Sequence, residues 1–124
     1  MIALYVAIGG AIGSVFRYFV LNKISFATGF GFPYGTMSVN VVGSLLMGLF
    51  IGYLAKTLPH SMEMRAFVAT GILGGFTTFS AFSLDVLTLF EKGDYINTFF
   101  YVLFSVILSI LAIFLGVYMV RSLA

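Results

Sequence analysis

Charge is scarce in this chain: 124 residues hold six Lys or Arg and four Asp or Glu, 8% in all. An ordinary globular chain carries about 25% charged residues, so a water-facing surface cannot be assembled here. Cysteine is absent, which removes disulfides, thiolate metal sites and thiol nucleophiles together and leaves the redox compartment undetermined. The one histidine, His60, cannot build a metal cluster alone. The six cations are scattered singly and form no basic stripe, so the net charge of +2 gives no reason to expect a nucleic-acid partner. A soluble catalytic domain is excluded with them.

What is present is hydrophobic: 61% of the residues. A membrane-spanning helix consumes roughly 20 apolar residues, so four spans use most of the chain. They fall at 2–21, 36–54, 67–90 and 96–120. The N-terminus lacks the basic region of a signal peptide and is read as the first mature span. Asn22 to Tyr34 reads as an interfacial loop, the stretch around Pro59 as a polar turn, and Glu91 to Tyr95 as a tight one. The expected fold is an all-α integral membrane protein, a single four-span domain with short connections. Span three places Gly74, Gly75, Thr77 and Thr78 near the bilayer midplane, which predicts a helix broken near its middle.

Orientation follows from Lys and Arg in short loops, which stay on the cytoplasmic side. Lys56, Arg65 and Arg121 fall on one side, and Arg17, Lys23 and Lys92 on the other. An even split permits insertion in both directions and predicts an antiparallel, dual-topology homodimer; the alternative is one dominant orientation set by features other than these six charges.

Polar side chains inside the spans fall on lines. Thr36, Asn40 and Ser44 recur every four residues on span two, as do Tyr101, Ser105 and Ser109 on span four. Residues four apart share a helix face, so each helix carries a polar stripe roughly 12 Å long. Any single hydroxyl is accounted for by a bond to its own i−4 carbonyl or to a neighbouring helix. Two stripes with an embedded Asn point to a solute path. No carboxylate lies in spans one, two or four; Asp85, in span three, is the exception. Amide, hydroxyl and phenol groups donate hydrogen bonds, so the stripes suit an anion. Phe76, Phe79 and Phe82 stand beside the break and offer electropositive ring edges.

A broken helix frees carbonyl oxygens, tolerated in a membrane only where they are buried in protein, line water or bind an ion. Gly74 to Thr78 is therefore a candidate site for a small, hard, structural cation. Arg17 lies near the expected end of span one, where it can snorkel to the interface or make the mouth of a path positive. Pairs of small residues, Gly9 with Gly13, Gly48 with Gly52 and Gly71 with Gly75, read as helix-packing surfaces.

Together GGAIGSVFRY (Gly9 to Tyr18), GTMSVNVVGSLLMG (Gly35 to Gly48) and GILGGFTTFSAFSLD (Gly71 to Asp85) resemble the Fluc, or CrcB, family of fluoride channels over the whole chain. The resemblance implies an antiparallel homodimer in the cell membrane with two pores, through which fluoride leaves passively. It implies a fluoride pore of Asn40, Phe79, Phe82, Tyr101, Ser105, Ser109, Thr36 and Ser80, with Arg17 and Asp85 in the vestibules. Gly74 and Thr77 would give backbone carbonyls to a structural sodium ion. Where this chain has Asp85, the family pattern more often has Glu. Two other readings are a small dual-topology multidrug exporter, which needs a first-span carboxylate, and a non-transporting membrane subunit.

Overall fold

Four helical stretches, each long and apolar enough to cross a membrane, make up the computed structural model, which describes residues 1–29, 31–57 and 61–123. The expected turn at Pro59, and His60, lie outside the described residues. Among the described residues there is no strand.

Helix α1 (Ile2–Thr28) runs about two turns beyond its expected end at Leu21. Nothing before Gly29 interrupts it: Asn22, Lys23 and Ser25 are polar but tolerate a helix, and Gly29 ends it with φ 85. At 1.5 Å per residue α1 is roughly 40 Å long against a hydrocarbon layer of about 30 Å. The polar final turns therefore project past the apolar layer, and Arg17 is left in the middle of the helix. Helix α2 (Tyr34–Thr57) follows.

The third crossing is composite. A single α turn, α3 (Met62–Met64), capped by the Ser61 hydroxyl on Met64 N–H, leads into a π-helical stretch (Arg65–Leu73) and then a short α4 (Gly74–Phe76). Thr77 and Thr78 are extended, with φ −86, ψ 160 and φ −153, ψ 122, and α5 (Phe79–Glu91) restarts beyond them. The glycine pair is thus helical, and the break falls on the two β-branched threonines, whose side chains favour extended backbone. Gly93, at φ 78, turns the chain, and Asp94 caps α6 (Tyr95–Ser122) by accepting from Asn97 N–H and Asn97 Nδ2.

Packing divides the bundle into two close pairs, α1 against the third crossing and α2 against α6. Both depend on missing side chains. A Cβ on Gly13 would collide with the Ile72 carbonyl, and one on Gly75 would sit 2.7 Å from the Gly10 carbonyl. Across the other pair, a Cβ on Gly116 would lie 2.7 Å from Leu49 N. Lipid supplies no hydrophobic drive between helices, so such close backbone contact is what holds them. Large apolar side chains cover much of the outer surface: Ile8, Phe16 and Phe19 on α1 and Phe114 and Tyr118 on α6 are all exposed.

Candidate ion pathway

The break at Thr77 and Thr78 frees backbone groups that a continuous helix would have paired, and those of Thr78 find a specific partner on α2. Thr78 N–H donates to Asn40 Oδ1 at 2.7 Å, while Asn40 Nδ2 donates back to the Thr78 carbonyl at 3.0 Å. A side chain of α2 therefore closes the gap in the third crossing. Thr78 Oγ1 accepts from Ala81 N–H at 3.0 Å and so caps α5, and Thr77 Oγ1 donates to the Leu73 carbonyl. Thr78 N–H is the group that would have bonded Gly74 O in an unbroken helix. Its turn toward Asn40 leaves the Gly74 carbonyl available.

Next to the break lies a cavity of about 420 Å³, bounded by Asn40, Gly43 and Ser44 of α2, Thr77 to Phe79 and Phe82 of the third crossing, and Ser105 and Ser109 of α6. Five of the expected pore residues, Asn40, Phe79, Phe82, Ser105 and Ser109, thus share one space. The Phe79 and Phe82 rings are 5.5 Å apart at 51°. Phe82 is buried and Phe79 is 78% exposed on the chain's surface. Ser105 Oγ and Ser109 Oγ are buried without a hydrogen-bond partner. Helical serines usually bond the i−4 carbonyl; Thr88 does so to Leu84, but these two do not.

Thr36 and Tyr101 lie beyond Phe82. Tyr101 is wholly buried, its ring 5.1 Å from Phe82 and 5.6 Å from Phe32, and its hydroxyl donates to Asp85 Oδ2 at 2.9 Å. Asp85, half-buried, is thereby tied to the α6 polar stripe. Ser80 is exposed outside the cavity wall, its hydroxyl 3.4 Å from Thr78 Oγ1. Arg17 does not snorkel: its guanidinium donates to the Thr77 carbonyl at 3.4 Å, at the middle of the third crossing. Sequence reading placed it near a mouth because it ended span one too early.

Gly43 was not singled out from sequence, and it matters. A Cβ there would collide with Thr77 Cγ2, so its absence lets the break approach α2 within reach of Asn40. The available signal was its spacing of three from Asn40, which puts both on one helix face. Phe32, packed on Tyr101 from the first connection, carried no such signal.

A family model described as CrcB-like protein, camphor resistance (CrcB), matches residues 4–117. The chain belongs to the CrcB family. Three curated relatives are each called fluoride-specific ion channel FluC. That of Agrobacterium fabrum is 52% identical over 95% of this chain and 94% of its own length. The Mesorhizobium japonicum protein is 52% identical over 97% of this chain and 96% of its own. The Rhizobium etli protein is 49% identical over 98% and 97%. With its four spanning helices, this CrcB family member is a multi-pass protein of the cell membrane.

Proposed function

We propose that this chain is a fluoride-selective channel that lets fluoride leave the cell passively. The observation that carries the reading is the pair of buried, unpartnered hydroxyls of Ser105 and Ser109, two residues of the cavity wall that also holds Phe82. A buried hydroxyl without a partner costs about 1–3 kcal/mol, a cost with a use if a passing anion accepts from it. Near-full-length relatives named as fluoride-specific channels support the same ion. An ion channel is not an enzyme, and nothing in the site calls for a reaction.

Asn40 spends one Nδ2 hydrogen on Thr78 and keeps the other for the anion. Phe79 and Phe82 offer ring edges, and Thr36, Tyr101, Ser105 and Ser109 extend the donor track along α2 and α6. Ser80 stands beside the track next to Thr78, and Asp85 toward a mouth. Fluoride is small and strongly hydrated; a narrow set of neutral donors replaces its shell while excluding chloride.

The active unit in this reading is an antiparallel homodimer with two pores. The exposed Phe79 ring is then covered by a second copy. With Arg17 at midspan, the interfacial cations number Lys56, Arg65 and Arg121 on one side and Lys23 and Lys92 on the other, still close to even. A sodium ion fits the break. Its donors there are neutral carbonyls, Gly74 O having lost its helical donor, and among the described residues no cluster of His, Asp or Glu could hold a more highly charged metal. Gly74 and Thr77 would hold the ion, and its chemistry would be to bind their oxygens together.

Purified protein in liposomes loaded with fluoride or chloride tests the function. Fluoride efflux with chloride retained is the expected result; equal loss of both ions would falsify it. The multidrug-exporter reading fails on α1, which has no acidic residue.

A further inference from the structure

Arg17 contacts the third crossing at its middle, at the helix break. α1 contains no acidic residue, and the recorded partner of the guanidinium is a backbone carbonyl, that of Thr77. A charge at this depth is expensive unless it meets a specific acceptor. The helix break supplies one, since Ala81 N–H, which would bond Thr77 O in a continuous helix, is taken by Thr78 Oγ1. A carbonyl oxygen has two lone pairs, and at 3.4 Å Arg17 makes a long contact with one of them.

We infer that Arg17 is a positioning residue that tunes sodium affinity at the break, acting as a tethered cation on the Thr77 carbonyl that the ion also uses. This rests on the sodium reading given above. A fixed positive charge on a shared oxygen withdraws electron density from it and repels a second cation, so Arg17 weakens sodium binding. In the sodium-free state it also keeps that carbonyl partnered at a depth where an unpartnered one is costly. The site therefore releases sodium without collapsing.

Thermal stability of the purified protein, measured as sodium chloride replaces choline chloride at constant ionic strength, yields the sodium dissociation constant, which is the midpoint of site occupancy. A ligand of the folded state stabilises it by mass action above that concentration. Arg17→Gln is expected to lower that midpoint by roughly tenfold and Arg17→Lys to keep it within about twofold. An unchanged midpoint in Arg17→Gln, even with lower stability, overturns the proposal and leaves Arg17 a structural anchor. Should Arg17→Gln not fold, Arg17→His carries the test. Its midpoint is expected to be higher at about pH 5, with the ring charged, than at about pH 8, and equal midpoints overturn the proposal. Wild-type protein insensitive to sodium would instead overturn the sodium reading, and this inference with it.

Discussion

Asn40 holds both polar groups of Thr78, accepting from its N–H at 2.7 Å and donating to its carbonyl at 3.0 Å. One amide on α2 thus replaces the turn of helix that the third crossing lacks. In the proposed function Asn40 serves the fold and the path together, so its removal does not separate a channel from a merely structural membrane subunit.

Asn40→Leu, similar in size, leaves Thr78 N–H and carbonyl without protein partners. Each lost buried bond costs about 1–3 kcal/mol, enough to lower the melting temperature clearly. Fluoride efflux from liposomes is expected to vanish in the same variant. A stable, conducting Asn40→Leu protein would show that the clamp is dispensable.

Ser105→Ala and Ser109→Ala separate the two roles that Asn40 joins. Neither hydroxyl has a partner, so their removal takes away no bond and relieves a desolvation cost of about 1–3 kcal/mol. Melting temperatures are expected to hold or rise while fluoride efflux falls, most of all in the double variant. Loss of stability together with unchanged flux would assign these hydroxyls to the fold.

The Tyr101 hydroxyl and Asp85 form another part-buried polar pair, at 2.9 Å. Tyr101→Phe leaves a half-buried carboxylate without that donor and is expected to cost about 1–3 kcal/mol. In an Asp85→Ala background the same change should cost much less. Unfolding of all four proteins closes the cycle, and a coupling near zero would mean that the bond contributes nothing to stability.

The stripes on α2 and α6 were legible in the sequence because position fixes the face of a helix, and each polar residue stood out against an apolar ground. Asn40, Ser105 and Ser109 were found that way and do share one cavity. Less legible were features made by contact between elements. Gly74 and Gly75 looked like the break, yet both are helical, Gly75 against Gly10 of α1, and the break falls on Thr77 and Thr78. Arg17 changed from a mouth residue to a midspan one because no breaker ends α1 before Gly29. Its partner, a carbonyl sixty residues away, leaves no trace in composition or periodicity. The proposed two-copy assembly rests on charge balance and the exposed Phe79 ring.

Cavity width depends on a glycine outside the cavity. Gly116 lies three residues beyond Ile113, which lines the space, and its missing side chain lets α6 approach α2. In Gly116→Ala the added carbon would meet backbone atoms, Leu45 O at 2.5 Å and Leu49 N at 2.7 Å. Backbone inside a helix cannot turn aside as a side chain does, so the two helices must separate. Overpacking of this kind costs about 1–3 kcal/mol, and the separation carries Ser105 and Ser109 away from Asn40. A path that excludes chloride by narrowness then loses selectivity before it loses conduction. Fluoride and chloride efflux measured side by side should show chloride leak in Gly116→Ala, whereas Gly10→Ala, whose added carbon meets no atom within 4 Å, should match the wild-type chain. A Gly116→Ala protein that is destabilised yet fully selective would separate helix spacing from ion choice.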